Sequence, residues 1–507
     1  MEQAEFTSLL PVIVTLTLAL TTRNVVVGLF AGVMTGVAML EQTFVATGPL
    51  ETFGALMKNY LLPQLTDSYN AGVILLLVFI GGFVALMEKS GGGVAFAERV
   101  TTWVKSKSQS QISAWFGGIV IFFSDLGTPL IVGPVFRPLF DKLKLSRQKL
   151  AFIIDSTSSP VAILIPFIGW GVYIMGLIQK EFSQLDVAMT DWDAFIGAIP
   201  YQFYAFLAIA IVPIISILKC DFGPMAQAEW NAKQGNISIH DHADTHKAFS
   251  HQNAKASFVW APLLVMLVVL CSMLVPQGFP FQKVAGSTFR AALSTAYLFA
   301  AVTLVSLMAL YGVRKVTDSI QLYLKGMSGM MSVAVILVLA WALSSVGKEL
   351  GAAAYIAEQA QAGFPSWLLP GVAFLLAAII SFATGSSWGT FAIMMSLVIP
   401  TSVAIDAPLL VAIGAVLSGG LFGDHCSPIS ETTILSSTGA ACNQYEHFKT
   451  QLPYALLNGA IALSSFIIAG IVESPMVLLV AIVAQIAIYV VISRTRLVGE
   501  PQPQTES

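Results

Sequence analysis

Four acidic residues lie inside strongly apolar segments of this sequence, where an ionised carboxylate is costly and therefore indicates a function. A carboxylate can bind a hard cation such as sodium, which prefers oxygen ligands, or it can carry a proton. A structural interpretation stays open, because an acid can also cap the N-terminus of a half-helix by accepting backbone N–H bonds. The four acids are Asp125, Asp155, Asp424 and Glu431.

Two of these acids are followed by hydroxyl side chains and a proline. Pro160 follows Asp155 and Pro428 follows Asp424, and each proline ends the local hydrogen-bond ladder and so frees backbone carbonyls. Freed carbonyls, a carboxylate and hydroxyls can together replace the water shell of sodium, although each hydroxyl could equally satisfy only its own helix. We predict Asp155 and Asp424 as the metal-binding carboxylates. The remaining candidate ion or proton ligands are Asp125, Ser156, Thr157, Ser159, Ser427, Ser430 and Glu431, with Thr432 and Thr433 as further hydroxyls.

Sodium and a proton would compete for one such carboxylate, because burial favours its protonated form and a bound cation favours its ionised form. This competition is the minimal chemistry of an antiporter. His425, beside Asp424, either tunes the competition or packs as a hydrogen-bonded histidine. Arg137 lies where an apolar segment meets a basic loop, and it either binds an anion or anchors the chain at the membrane interface.

The composition predicts a membrane protein. Of the 507 residues, 56% are hydrophobic and only 10% are charged, against about 25% charged residues in a typical soluble domain. Such a chain cannot cover a water-facing surface, so a lipid bilayer is its predicted partner. The net charge of −3, without a basic stripe, predicts no nucleic-acid partner.

Apolar runs of roughly 20 residues can cross the hydrocarbon core as helices. Two further runs, 111–137 and 365–402, are interrupted by glycine and small polar residues. Both flanks of the first run are basic, so it enters and returns on the cytoplasmic side, and the topology then requires the second run to enter and return from outside. We interpret both as re-entrant hairpins. The predicted fold is an all-α polytopic membrane protein with these two hairpins and about eleven spans, near 8–22, 24–40, 72–88, 148–178, 193–217, 256–275, 289–313, 326–346, 408–438, 452–470 and 474–493.

The order of these segments repeats. Residues 1–217 and 256–470 each give three spans, a hairpin and two spans, with opposite orientation. Short similarities support the repeat, because Gly127-Thr128 at one hairpin tip matches Gly389-Thr390 at the other, and an aspartate precedes a Ser-Pro pair in both broken spans. Inverted repeats with paired broken helices indicate a secondary transporter whose site lies near the midplane.

A hydrophilic linker at 218–255 joins the two repeats, and residues 471–507 add an extra span and a disordered tail. Lysine and arginine concentrate in the linker and just after the last span, which predicts that both the linker and the C-terminus are cytoplasmic. Four linker histidines suggest either metal or proton sensing or simply a solvated loop. They are His240, His242, His246 and His251.

Residues for other chemistries are missing from the sequence. It has neither a Walker-type phosphate loop nor a Gly-x-Ser-x-Gly nucleophile elbow, and its four cysteines have no metal-ligand spacing. The sequence therefore predicts that the protein is not an enzyme and needs no cofactor beyond its coupling ions, Na+ and H+.

The segment 423–433, Gly-Asp-His-Cys-Ser-Pro-Ile-Ser-Glu-Thr-Thr, resembles the motif of the NhaC-type sodium/proton antiporter family, part of a wider ion-transporter superfamily. The resemblance covers about residues 8–470 and is looser from Arg137 to Pro160. It implies sodium/proton exchange across a bacterial inner membrane, by a fold of two inverted repeats with hairpins. It also implies possible ion-binding roles for Asp424, Ser427 and Glu431, although Glu431 is longer than the aspartate common in that family.

Two functions stay open at this point. The first is exchange of sodium, or another alkali cation, for protons by alternating access. The second is sodium- or proton-coupled movement of a small organic acid or amino acid. The N-termini of the half-helices could bind the carboxylate of such a solute. A channel or sensor on the same frame, and assembly as a homodimer, are also compatible with the sequence. The possible substrate contacts are Thr128, Ser387, Thr390 and His425.

Overall fold

The structure of the protein is a computed structural model. The three histidines His240, His242 and His246 and the predicted tail after Arg496 lie outside the residues that it describes. The described residues are 5–41, 49–101, 104, 106–236, 249–278, 284, 286–352, 354–355, 358 and 364–496.

The described part of the chain is helical and contains no β-strand. Short helices also occur at 49–66 and 223–233, in segments that the sequence analysis treated as loops. The helices of the first half are α1 (Leu10–Thr22), α2 (Val25–Glu41), α3 (Pro49–Ala55), α4 (Leu62–Thr66), α5 (Ser68–Glu88), α6 (Gly92–Thr101), α7 (Lys107–Val120), α8 (Gly127–Lys142), α9 (Arg147–Asp155), α10 (Ser159–Ala162), α11 (Gly169–Leu185), α12 (Asp191–Ala198), α13 (Phe203–Leu218) and α14 (Gly223–Lys233).

The second half repeats the order of long helices, a helical hairpin and a broken helix. The helices are α15 (Ser257–Leu274), α16 (Gly286–Leu310), α17 (Val316–Gly329), α18 (Met331–Glu349), α19 (Leu369–Thr384), α20 (Ser387–Ala404), α21 (Leu409–His425), α22 (Glu431–Ala440), α23 (Gln444–Val472) and α24 (Val477–Arg496).

Length and composition identify the membrane-spanning candidates. Within the described ranges, eight helices are long and apolar enough to cross a membrane, and a ninth joins them if the pair Asp191–Tyr201 and Phe203–Leu218, bent by 46°, counts as one span. Three shorter apolar helices add to these, namely Phe6–Thr22, Val25–Leu40 and Leu409–His425. The predicted multi-span helical membrane protein is thereby confirmed, whereas the exact limits of the two repeats and of the linker stay predictions.

Each of the two predicted hairpins is a pair of helices joined by a short break. Both helices of the second pair are among the eight that are long and apolar enough to cross a membrane, so the re-entrant path stays a prediction. In the second, α19 ends at Gly385, whose φ of +65° favours glycine, and Ser386 caps α20 by accepting a hydrogen bond from the N–H of Gly389. In the first, the Ser124 hydroxyl likewise accepts a hydrogen bond of 2.8 Å from the N–H of Gly127, where α8 begins. Small polar residues therefore form both tips because they satisfy the helix ends.

Helix α21 lies at the centre of the molecule, with nearly every side chain buried. Its glycines permit contact with the backbone of α19, because a Cβ at Gly419 would lie 2.3 Å from the carbonyl oxygen of Phe374. A Cβ at Gly423 would likewise lie 2.2 Å from the carbonyl oxygen of Ala378. By contrast, only 28% of the apolar stretch of α15 and 22% of that of α24 is buried, as expected for helices that face lipid.

Candidate ion site at the two broken helices

The break in the second half separates α21 from α22. Pro428 cannot donate a backbone hydrogen bond, and the helical ladder stops at His425 and resumes at Glu431. Ser427 fixes the break to the hairpin, because its hydroxyl donates a hydrogen bond of 2.8 Å to the carbonyl oxygen of Phe382 in α19. The predicted unwound segment is therefore present, and it lies against a hairpin helix.

Asp424 lies at the end of α21 and is buried, with 4% of its surface exposed. Its Oδ1 accepts a hydrogen bond of 2.8 Å from the Ser430 hydroxyl, and its Oδ2 accepts one of 2.7 Å from the Thr432 hydroxyl. The two hydroxyl oxygens lie 3.0 Å apart. Two predicted hydroxyl ligands thus meet around one carboxylate, and the loop between α21 and α22 brings them together.

Asp155 lies at the end of α9, in the first half, and is fully buried. Its partners all come from the second half of the chain. Oδ2 accepts a hydrogen bond of 2.6 Å from the side-chain amide of Gln451 and lies 3.5 Å from Nε2 of His447, and Oδ1 accepts one of 3.2 Å from the Ser436 hydroxyl. This acid is therefore part of a contact between the two halves.

The two acidic centres are connected. The amide of Gln451 that binds Asp155 also donates a hydrogen bond of 3.1 Å to the carbonyl oxygen of His425, the residue after Asp424. The carboxylates of Asp155 and Asp424 lie within electrostatic range of each other. His425 is buried and contacts the Tyr204 hydroxyl through Nδ1 at 3.2 Å.

Two predicted hydroxyls remain without a partner in the described part of the chain. Ser159 stands at the start of α10 and Thr433 in the first turn of α22, and both are fully buried. Buried hydroxyls are normally hydrogen-bonded, so an unpaired one indicates a bound water or ion. These two positions, one in each broken helix, are the most available oxygen ligands for a cation.

Other hydroxyls of the first broken helix bind backbone. Thr157 donates a hydrogen bond of 2.9 Å to the carbonyl oxygen of Ile153, while Ser156 is buried at the end of α9. Both residues lie next to Asp155 in the sequence. Thr157, however, donates its hydroxyl hydrogen to its own helix rather than facing a cation, which is the second of the two roles that the sequence allowed for these hydroxyls.

The three hydroxyls predicted as substrate contacts also bind backbone carbonyls. Thr128 donates to Ile121 and Ser124, Thr390 donates to Ser386, and Ser387 donates to Gly420, over distances of 2.8 to 3.3 Å. In this conformation they stabilise the two hairpin tips and the contact of the second tip with α21.

Asp125 and Glu431 make no hydrogen bond to the hydroxyl cluster among the described contacts, but Asp125 lies within electrostatic range of Asp424. Asp125, at the first hairpin tip, is half-buried beside the Trp170 indole and lies within electrostatic range of Glu431. Glu431 itself is exposed and begins α22. Trp170 packs against Trp388 of the second hairpin, with ring centroids 5.0 Å apart. A cluster of one acid and two aromatic side chains, of which Trp170 is buried, therefore adjoins both hairpin tips.

Arg137 has contacts that neither sequence interpretation named. Its guanidinium donates hydrogen bonds to the carbonyl oxygens of Gly439, at 2.5 Å, and Thr438, at 2.6 Å. These carbonyls end α22, and a cation there complements the negative end of the helix dipole. Arg147 donates in the same way to the carbonyl oxygen of Ala441. Two arginines of the first half thus hold the helix that carries Thr432 and Thr433.

Sequence reasoning missed Ser436, His447 and Gln451. The last two lie one turn apart on α23, in a segment that was placed before the predicted span at 452–470. Polar residues four positions apart at the end of an apolar helix were the available signal. Among the described residues, no three His, Cys, Asp or Glu side chains form a metal cluster, so a cation here would need hydroxyl and carbonyl oxygens.

The chain is similar to several known membrane transporters. Residues 161–471 match the Na+/H+ antiporter family. An uncharacterized protein of Haemophilus influenzae is 30% identical over 485 residues, covering 92% of this chain and 91% of that protein. Over shorter segments, an uncharacterized Na+/H+ antiporter of the same organism is 37% identical (18% of this chain, 20% of that one). The arginine/ornithine antiporter ArcD of Halobacterium salinarum is 32% identical (21% of this chain, 22% of that one).

Two solved structures share the fold. MtrF of Neisseria gonorrhoeae, described within a class of antimetabolite efflux pumps, has a TM-score of 0.56 at 15% identity, covering 83% of this chain and 85% of that one. The YdaH transporter of Alcanivorax borkumensis, described as having an unusual topology, has a TM-score of 0.57 at 14% identity, covering 84% and 90%. These likenesses confirm the predicted fold class.

Proposed function

Because the chain belongs to the Na+/H+ antiporter family, we propose that it exchanges sodium for protons across a membrane by alternating access. Membership also confirms the resemblance carried by the motif at 423–433. The protein is a multi-span membrane transporter, and the family implies coupling to Na+ and H+. The proposal concerns the ions that this chain itself moves and the residues that bind them.

The observation that carries the proposal is the enclosure of the Asp424 carboxylate by the Ser430 and Thr432 hydroxyls across a helix break. A hydroxyl that donates to a carboxylate still has oxygen lone pairs, and it can rotate to present them to a cation. Sodium bound there would have an ionised carboxylate, hydroxyls and freed carbonyls as ligands. When sodium leaves, the buried carboxylate favours a proton instead.

Asp155 is the second carboxylate of the proposal. It lies within electrostatic range of Asp424, so a charge at one site changes the affinity of the other for cations. Its partners Ser436 and Gln451 belong to the other half of the chain. A relative movement of the two halves would therefore alter the environment of Asp155, which is what alternating access requires.

Flux measurements on purified protein in liposomes test this function. We expect a sodium gradient to drive proton flux in the wild type and expect Asp424→Asn to abolish it. Asp406→Asn is a matched control, because Asp406 is exposed and its φ of +52° suits asparagine. Full exchange activity in Asp424→Asn would contradict the site, and absence of sodium-dependent flux in the wild type would contradict the function.

The protein is proposed to lie in a bacterial inner membrane with its C-terminus on the cytoplasmic side. Basic residues concentrate in the linker and after the last span, which supports a cytoplasmic C-terminus, and the relatives from Haemophilus influenzae support a bacterial inner membrane. Once the four native cysteines are replaced, labelling of a single cysteine introduced near Arg494 by a membrane-impermeant reagent tests the orientation. Labelling in intact cells, rather than only after permeabilisation, would reverse it.

A second candidate function is coupled movement of a small organic solute, such as an amino acid or organic acid. A relative over a short segment is named an arginine/ornithine antiporter. The half-buried Asp125 and Trp388, with Trp170 packed between the two hairpin tips, also supply an acid and aromatic rings that could bind a cationic solute if the tips separate. Ion flux that appears only after a solute is added would favour this function over sodium/proton exchange.

A further inference from the structure

A cavity of about 450 Å³ lies outside the ion site, where α16 ends and α17 begins. Its walls come from the last part of the linker, represented by Phe249 and His251, and from the turn between the two helices. That turn contributes Arg314, Lys315 and Asp318. Two cationic side chains, Arg314 and Lys315, thus line the cavity with one acid, Asp318. The net charge of the cavity is therefore positive even when His251 is neutral.

Arg314 is held ready for an anion. Its guanidinium lies over the ring of Phe249, 5.0 Å from the centroid, which fixes the plane of the side chain. Its Nε is buried and has no hydrogen-bond partner among the described residues. A buried N–H of a charged group is costly when unpaired, so this donor indicates a ligand that the cavity receives.

The start of α17 contributes a second kind of donor. The first N–H groups of a helix have no partner within the helix, and Lys315 at the N-cap provides no side-chain hydrogen bond to them. The helix dipole adds positive potential at this end. Arginine together with free N–H groups at a helix N-terminus is the chemistry that binds phosphate.

The surroundings of the cavity are apolar. Leu310 is 80% exposed at the end of α16, and Ile320 is 50% exposed one turn into α17. In a membrane protein, exposed apolar side chains of this kind face acyl chains. We therefore infer that the cationic cavity, at the turn before α17, lies at the boundary where lipid head groups begin.

We propose that this cavity binds a phosphate group, carried by the head group of an anionic phospholipid or by a soluble phosphate compound. Arg314 supplies the directional donor, Lys315 supplies charge, and the first turn of α17 supplies backbone N–H groups. Because Phe249 and His251 belong to the last part of the linker, a bound phosphate would hold the end of the linker against the turn between α16 and α17. The site is independent of the proposed ion exchange.

Native mass spectrometry and thermal unfolding of the full chain in detergent test the site. Wild type is compared with the double variant Arg314→Gln/Lys315→Gln and with Lys325→Gln, which removes an exposed lysine of the same helix outside the cavity. The probes are phosphatidylglycerol, phosphatidylcholine of the same chains, and inorganic phosphate. We expect phosphatidylglycerol to bind and raise the unfolding temperature, and expect the double variant to bind it about tenfold more weakly.

The control variant Lys325→Gln should bind as the wild type does. Binding of inorganic phosphate without preference for phosphatidylglycerol would support the site and identify a soluble ligand. Equal binding of both lipids and no effect of phosphate, or equal affinity in wild type and double variant, would overturn it. If the double variant fails to fold, Lys315→Gln alone is tested instead, because Lys315 is exposed and its replacement should not disturb folding. This single variant should also bind phosphatidylglycerol more weakly than the wild type does.

Discussion

Gln451 donates a hydrogen bond of 2.6 Å to the carboxylate of Asp155, although 296 positions separate the two residues in the chain. The same amide reaches the carbonyl oxygen of His425, beside Asp424. Gln451, in the second half, therefore positions Asp155 of the first half relative to Asp424 of the second half.

Replacing Gln451 by leucine should impair exchange more than it impairs folding. The variant leaves a buried carboxylate without its shortest hydrogen bond, which costs about 1–3 kcal/mol. We expect at least about a tenfold change in the sodium concentration for half-maximal proton flux. Gln321→Leu on the exposed surface of α17 is the matched control, and equal kinetics in both variants would show that the bridge is not functional.

The hydroxyls around Asp424 should determine cation affinity. We expect Ser430→Ala combined with Thr432→Val to raise the half-saturating sodium concentration, because two proposed oxygen ligands are lost. Thr438→Val removes a hydroxyl of the same helix that only binds the carbonyl oxygen of Ile434. That control should keep wild-type affinity. An unchanged sodium dependence in the double variant would remove these hydroxyls from the ligand set.

The contact between α8 and α22 depends on glycine. A Cβ at Gly439 would lie 2.2 Å from the carbonyl oxygen of Pro129, and backbone cannot move aside as a flexible side chain can. We expect Gly439→Ala to lower the free energy of unfolding by about 1–3 kcal/mol, measured by thermal unfolding. In α18, Gly347 has open space around it, so Gly347→Ala should be tolerated.

Arg137 should be needed to position α22. Loss of its hydrogen bonds to the carbonyl oxygens of Thr438 and Gly439 should destabilise the end of that helix, at about 1.5–3 kcal/mol for each charged hydrogen bond. We expect Arg137→Gln to reduce exchange and lower the unfolding temperature. Arg494→Gln, at an exposed position in the last helix, should change neither measurement.

Glu229 should make stability depend on pH. This residue of α14, in the linker, accepts hydrogen bonds from the N–H and the hydroxyl of Ser146, and burial, together with the nearby Asp221, raises the pKa of its carboxyl. The folded state then binds the proton more tightly than the unfolded state, whose glutamate pKa is about 4.3. Stability should fall as pH rises from there through the raised folded pKa. Glu229→Gln should flatten this dependence in unfolding measurements, and an unchanged slope would assign it to another group.

The sequence predicted the membrane-spanning class, the two hairpins and the two broken helices. These features follow from local causes, because apolar runs of sufficient length must be helical in lipid. The backbone conformation of Gly385, the capping hydroxyl of Ser386 and the missing N–H of Pro428 favour a helix break at those positions. The acids Asp155 and Asp424 were recognisable for the same reason, since few charged side chains occur within apolar segments.

Only the tertiary structure decided which hydroxyls surround each acid. Thr157 lies two positions from Asp155 in the chain but binds backbone, whereas Ser436 and Gln451 come from distant helices to contact the Asp155 carboxylate. Sequence spacing reports neighbours along a helix, but hydrogen bonds between helices depend on how glycines such as Gly439 and Gly423 let backbones approach. Packing of the two halves is therefore what turns two acidic motifs into one connected site.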